Sequence, residues 1–179
     1  MGCSSITLNG INTGCRDNIG SIKEVLIVKR DEITIPTTSD MTEGVITTLE
    51  LKDDSKFARY RFRKNTSNMT TTMSVDDAVG TMSFNTEVTL QFNKLETKKR
   101  LELMALALDD LVVIVLDGNG VYWFLGMDFP VSVTSLNGET GTVFTDFSGY
   151  RITLTDNARE LPFEVSASAL EGKIKGFEI

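Results

Sequence analysis

A strict alternation of apolar and polar side chains over residues 82–92 constrains the fold of this chain most strongly. Even positions in this stretch carry Met, Phe, Thr, Val, Leu and Phe, whereas odd positions carry Ser, Asn, Glu, Thr and Gln. Because successive side chains of a strand point to opposite faces, the pattern predicts one strand of roughly 36 Å at ~3.3 Å per residue, about twice the usual length. Its polar face is almost uncharged and suits the lining of a hydrated space, such as a lumen or an intersubunit groove. The candidate lumen residues are Ser83, Asn85, Glu87, Thr89 and Gln91.

Further segments rich in β-branched and aromatic residues predict a mainly β protein. Residues 22–29, 45–51, 111–116, 121–125 and 149–155 all have this composition, and turn-forming residues separate them. With 179 residues, the chain can bury one substantial core. We therefore expect a single β-rich domain spanning residues 1–179, built as a β-sandwich or barrel of antiparallel strands.

One segment changes to a helical period. Leu101, Met104, Ala105 and Leu108 recur at helical spacing, which predicts a flanking helix over about 93–108 with this stripe packed in the core. Asn93 followed by Glu96 resembles a capping box at its start.

Three segments lack a clear apolar pattern. We expect residues 1–20, rich in Gly, Asn and Ser, to form an N-terminal arm, and the Thr-rich residues 65–80 to form an extended loop. Residues 166–179 are expected to form a C-terminal arm after a last strand.

The sequence DGNG at residues 117–120 raises the question of a calcium-binding loop. Asp117 and Asn119 fit the first two ligand positions, but Val121 stands where a third oxygen is needed and Tyr122 replaces the required glycine. The sequence instead predicts a β-hairpin turn. With positive φ expected at the turn glycines, Gly118→Val or Gly120→Val should be far more destabilising than Asp117→Ala.

Composition excludes several classes of function. The chain contains no histidine, which removes Ser-His and Cys-His chemistry, and its adjacent acids lie at turn-like boundaries. Cys3 and Cys15 are too few for a disulfide scaffold or a zinc site. We expect no enzymatic activity, no catalytic residues, no metal and no cofactor. No apolar run is long enough to cross a bilayer, so no membrane partner is expected.

The net charge of −7 argues against a protein that holds nucleic acid. One basic stretch, RYRFRK at residues 59–64, alternates arginines with Tyr60 and Phe62. It fits a solvated sheet face, or a docking stripe for an acidic neighbouring subunit. The candidate intersubunit residues are Arg59, Arg61, Arg63 and Lys64.

The order of long strand, single helix, apolar hairpin and further strands resembles the tail-tube family of phage virion proteins. The segments GCRDNIGSIKEVLIVKRDEI (14–33), LETKKRLELMALALDDLVVIVLDGNGVYWFLG (95–126) and NGETGTVFTDFSGYRITLT (137–155) are similar to structural proteins of phages that infect Bacteroidetes. Together they cover a little under half of the chain.

This resemblance implies a virion structural protein that assembles in the host cytoplasm into rings of a tail tube. Its implied partners are further copies of the chain, in a sixfold or twelvefold ring, other virion proteins, and DNA that passes transiently through the lumen. The alternatives are a twelvefold neck protein at the head-to-tail junction of a short-tailed phage and, from another class, a glycan-binding β-sandwich.

Overall fold

The computed structural model describes residues 10–11 and 16–176 and has a mainly β, sandwich-like fold with one α-helix. The helix α1 is Thr97–Leu108, and short 3-10 helices lie at Arg30–Glu32, Thr38–Asp40 and Ala167–Leu170. In chain order the strands are β1 (Ile22–Lys29), β2 (Ile33–Thr34), β3 (Met41–Thr42), β4 (Val45–Ile46), β5 (Glu50–Leu51), β6 (Ala58–Arg61), β7 (Asn68–Asp76), β8 (Thr81–Asn93), β9 (Leu111–Asp117), β10 (Tyr122–Leu125), β11 (Ser132–Glu139), β12 (Gly149–Ala158) and β13 (Phe163–Val165).

The strands form two main sheets and a small ribbon. The larger sheet has seven strands in the order β3-β4-β13-β10-β9-β1-β6, and only its β4–β13 pair is parallel. The second sheet has four antiparallel strands in the order β11-β12-β8-β7, and β2 pairs with β5 separately.

Two apolar cores lie on the two faces of the seven-stranded sheet. The first core joins one face of that sheet to the four-stranded sheet and to α1, through residues such as Val113, Leu90 and Leu103. The second core covers the opposite face and includes Ile114, Phe57 and Leu170. Because β1 and β9 contribute to both cores, they read as nearly continuous apolar runs.

The predicted alternation of β8 is confirmed in the body of the sheet. Val88 and Leu90 are buried in the first core, whereas Glu87 lies on the opposite face and is exposed. The pattern fails only toward the start of the strand, where Met82 is exposed although it lies on the core side.

The Thr-rich segment forms a strand and not the expected loop. β7 pairs with β8 over the full register from Asn68 opposite Thr89 to Asp76 opposite Thr81. Threonine is a good strand former, and β8 supplies the backbone hydrogen bonds of this strand. The local sequence pattern does not show that such a partner is present.

The helix starts later than predicted and presents a different face to the core. Glu96 is its N-cap residue and makes no side-chain cap bond, so the Asn93 capping box does not form. The core-facing residues are Leu103 and Leu106. The predicted stripe is exposed instead, because it lies on the side of the helix away from Leu103 and Leu106.

The C-terminal segment packs on the body and is not an arm over residues 166–176. Ala169 and Leu170 are buried in the second core, and Ile174 forms a parallel bridge with Phe57. Most of the expected N-terminal arm lies outside the described residues; Asn18 and Ile19, which are described, contact the β9–β10 turn through Asn119.

Asp156, a buried carboxyl group of β12, makes the stability of the protein depend on pH. Asp156 is 3% exposed, and among the described residues its Oδ1 has no hydrogen-bond partner. Burial is the largest effect on the pKa of Asp156 and raises it above its ordinary value. The Gly126 amide and Arg30 lower this pKa and Asp128 raises it, and the net result is an increase. The folded chain therefore favours the protonated acid, and stability falls as pH rises through the folded-state pKa.

We predict that Asp156→Asn, which mimics the neutral acid, stabilises the protein relative to wild type at about pH 7. The gain should shrink as pH falls, and should be smallest below the unfolded-state pKa of about 3.9. Urea unfolding midpoints of the two chains at several pH values test this. A gain that is independent of pH would contradict it.

Candidate functional site

The predicted lumen residues lie together on the outer face of the four-stranded sheet. Residues that stand directly opposite each other in an antiparallel sheet project to the same face, so the strand register extends this surface over all four strands. We call this surface the polar face. Its members are Asn68, Thr70, Thr72, Ser74 and Asp76 of β7, Thr81, Ser83, Asn85, Glu87, Thr89, Gln91 and Asn93 of β8, Arg151, Thr153, Thr155 and Asn157 of β12, and Ser132, Ser135, Asn137 and Glu139 of β11.

The side chains of the polar face bond mainly to one another. The Asn85 amide donates to Asn157 Oδ1 at 2.9 Å, and the Thr155 hydroxyl oxygen is 2.9 Å from that of Thr134, which lies at the β11 register shift beside this face. Arg151 lies 3.5 Å from Glu139 and donates to Gln91 Oε1 at 3.4 Å. These bonds hold the side chains in place without directing them toward a common point.

Charge is sparse on the polar face. Of its members only Asp76, Glu87, Glu139 and Arg151 are charged, and the Arg151 guanidinium lies 3.5 Å from the Glu139 carboxylate. The face offers hydroxyls and amides to water, with no nucleophile activated by a base. Within the part of the chain that the structure describes, no three Cys, Asp or Glu side chains are grouped so that they could hold a metal ion.

The basic stripe on β6 is engaged within the chain. Both arginines of the strand reach the buried Glu24 of β1: Arg59 donates to Glu24 Oε2 from Nη2 at 2.7 Å and from Nε at 2.9 Å, and Arg61 Nε lies 3.3 Å from the same oxygen. Glu24 retains 6% side-chain exposure. Tyr122 lies close to this group, where burial and then the Glu24 charge raise the pKa of its hydroxyl.

The aromatic side of the stripe is also as predicted. Tyr60 and Phe62 face the first core and pack edge-on against Phe92, with ring centroids 6.0 and 5.3 Å away. The Tyr60 hydroxyl donates to Glu102 of α1 at 2.6 Å, and burial together with this contact raises its pKa. Arg63 and Lys64 lie beyond the strand and are exposed.

The intersubunit role of the four basic residues stays a prediction, but the contribution of Arg59 must be revised. Its guanidinium compensates a buried carboxylate of its own chain, so reversing its charge destabilises the folded monomer. Removing one partner of a buried ion pair costs more than the pair contributes, because the remaining charge stays desolvated.

We predict that Arg59→Glu lowers the free energy of unfolding by roughly 3 to 5 kcal/mol. Arg63→Glu, on the exposed turn, should change it by no more than about 0.5 kcal/mol. Chemical denaturation of both variants beside wild type provides the comparison, and similar losses in the two would refute the assigned role of Glu24.

The Asp117 carboxylate organises the β9–β10 turn and is not available as part of a calcium site. Its Oδ1 accepts the amides of Asn119 and Val121 at 2.8 and 2.9 Å, and its Oδ2 accepts Trp123 Nε1 at 3.1 Å. The predicted hairpin is therefore confirmed, with one side chain satisfying three donors.

The two turn glycines are needed for different reasons. Gly120 has φ of +93° and open space around it. Gly118 does not have a positive φ; an added Cβ there would lie 2.4 and 2.5 Å from the carbonyl oxygens of Ile19 and Gly20. The expected ranking, in which both glycine replacements are far worse than Asp117→Ala, is revised because Asp117 itself holds three donors.

We predict that Asp117→Ala costs about 1 to 3 kcal/mol, since it leaves these donors without an acceptor. Asp117→Asn should cost less, because its side-chain oxygen can still accept the two backbone amides and only the Trp123 bond is lost. Thermal unfolding monitored by Trp123 fluorescence distinguishes them; equal losses in both variants would show that the backbone bonds contribute little.

Two exposed apolar surfaces were not anticipated from the sequence. One is the α1 stripe of Leu101, Met104, Ala105 and Leu108, which was expected to be buried. The other is formed by Met73 and Val75 of β7 with Met82 of β8. The signal for the latter was present as a period-two pattern at Met69, Thr71, Met73 and Val75, but the surrounding threonines obscured it.

Comparisons with protein-family models, with curated protein sequences and with solved structures found no match for this chain. In residues 10–11 and 16–176, no helix is both long and apolar enough to cross a membrane.

Proposed function

We propose that this chain is a self-assembling virion subunit that forms rings of a tail tube, with the polar face turned toward a passage for DNA. The observation that carries the proposal is the breadth of the polar face. It spans all four strands of one sheet and carries three carboxylates and one guanidinium among hydroxyl and amide groups.

The electrostatics of this face suit transit better than binding. Proteins that hold DNA neutralise its phosphates with clustered Lys and Arg. The single arginine of the polar face has Glu139 beside it, so a passing phosphate would meet no compact cationic site. A hydrated surface of this kind would let a polyanion slide without long residence.

The organisation of the chain supports self-association. The exposed apolar side chains on β7, β8 and α1 lie outside both cores. Large exposed apolar surfaces on a folded protein mark sites of interaction. The resemblance of three segments to phage structural proteins points in the same direction.

A glycan-binding sandwich has less support. Sugar-binding surfaces commonly present aromatic rings, but the polar face has none among its members, and Trp123 packs against the first core while bonding to Asp117.

Electron microscopy of labelled assemblies tests the proposal. Cys3 and Cys15 are first replaced by Ser, and a gold-tagged maleimide is then attached at Glu87→Cys on the polar face. The matched control carries the tag at Glu171→Cys, an exposed position after the last 3-10 helix, on the side of the second core.

We expect rings or tubes with a central hole, with gold at the hole for Glu87→Cys and on the outer rim for Glu171→Cys. Single rings that do not stack would favour the neck protein over the tube. A chain that remains monomeric at high concentration, or gold at the outer rim for Glu87→Cys, would overturn the proposal.

A further inference from the structure

The β7–β8 hairpin extends beyond the sheet to which it belongs. β12 ends at Ala158, opposite Phe84, so the residues of β8 that precede Phe84 pair with β7 alone. We call this two-stranded part, residues 73–83, the distal ribbon. A two-stranded ribbon is marginally stable in water unless one of its faces is covered.

One face of the distal ribbon is apolar and uncovered. Met73, Val75 and Met82 continue the side of β7 and β8 that is buried further along at Val88, yet each is more than half exposed. Val79, in the turn, is 72% exposed. The core pattern thus continues past the point where the chain's own core ends.

The stripe on α1 is the second uncovered apolar surface. Leu101, Met104 and Leu108 are 57%, 45% and 80% exposed, and the exposed Ala105 lies between them. They follow one another at helical spacing over more than two turns, on the side away from the buried Leu103 and Leu106. Such a stripe is the kind of surface by which a helix binds an apolar partner.

The tip of the distal ribbon and the start of α1 are at opposite ends of β8. The ribbon turn precedes Thr81, and α1 begins at Thr97, shortly after the strand ends at Asn93. At ~3.3 Å per residue, these two ends of β8 are roughly 40 Å apart. The ribbon tip therefore cannot reach the first turn of α1 in the same chain. A contact between these two regions must join two copies of the chain.

Charge favours this pairing over ribbon-to-ribbon or helix-to-helix contacts. At the ribbon tip, Asp76 projects to the polar face and its Oδ1 accepts the amides of Ala78 and Val79, so the exposed carboxylate of Asp77 supplies the negative charge for docking. The first turn of α1 carries Lys98 and Arg100, both exposed, which extend the apolar stripe by one turn. Like charges would meet in either symmetric arrangement, whereas opposite charges meet when ribbon and helix come from different copies.

We propose that the distal ribbon of one copy docks on the α1 stripe of the next, with Asp77 against Lys98 and Arg100. This inference rests on the self-association in the proposed function and specifies its interface. Because two different surfaces meet, the contact is heterologous and repeats from copy to copy, which generates a closed ring or an open stack.

Cysteine crosslinking between two variants tests the geometry. In the Cys3→Ser, Cys15→Ser background, chains with Met73→Cys are mixed with tagged chains that carry Met104→Cys, under mild oxidation. We expect at least about fivefold more mixed dimer than self-crosslinked dimer of either variant alone, since only the mixed pair brings ribbon and helix together. Self-crosslinking that equals or exceeds mixed crosslinking would overturn the proposal.

A charge reversal with rescue tests the orientation. Asp77→Lys should weaken association at least about threefold at low salt, because like charges then meet across the interface. Adding Lys98→Glu and Arg100→Glu to the same chain should restore association. A reversal with no effect, or one that the two changes on α1 do not rescue, would contradict the assigned orientation.

The outcomes of these experiments distinguish the ribbon-to-helix contact from the ring assembly of the proposed function. Rings without preferential mixed crosslinking would refute the ribbon-to-helix contact and leave the ring intact. Preferential mixed crosslinking in assemblies without a central hole would support the contact and refute the ring. A wild-type chain that is monomeric at all concentrations would refute both and leave a different protein as the occupant of the two apolar surfaces.

Discussion

The antiparallel pairing of β1 with β9 is the contact on which the rest of this structure depends. Both strands bury side chains on both faces, so one pair of strands joins the first core to the second. The four-stranded sheet and α1 are attached through one face, and the C-terminal segment with its 3-10 helix through the other. Disrupting this pair would release both layers, because neither has a core of its own.

β8 connects this body to the surfaces that bear on function. Over its length the same alternation serves two purposes: at Val88 and Leu90 the apolar side enters the first core, and at Met82 it is exposed on the distal ribbon. The polar side contributes the central row of the polar face. A single strand therefore carries the proposed passage lining and half of the proposed docking ribbon, which couples the position of the lining to the contact between copies.

Local patterns in the sequence predicted those elements whose burial is set by their own residues. The limits of β1, the long strand β8 and the β9–β10 hairpin could be predicted because their β-branched runs and turn residues are local signals. β7 could not be predicted, since the strand character of its threonines depends on pairing with β8. The face of α1 that is buried could not be predicted either: two apolar stripes compete on that helix, and the packing of its neighbours selects Leu103 and Leu106. For the same reason Arg59 was expected at a subunit contact, because its carboxylate partner, Glu24, lies 35 residues away in sequence.

Amide hydrogen exchange at increasing protein concentration tests most directly whether other copies of the chain cover its exposed apolar surfaces. The distal ribbon has only its own two strands to protect it, so its amides should exchange rapidly in the dilute monomer. The amides of β8 from Thr86 to Thr89 lie between β7 and β12 and should be protected throughout. We expect the protection of residues 73–83 and of the α1 stripe to rise together as concentration increases. The protection of the part of β8 that is paired with both β7 and β12 should stay unchanged. Exchange in the distal ribbon that is the same in monomer and assembly would contradict the account.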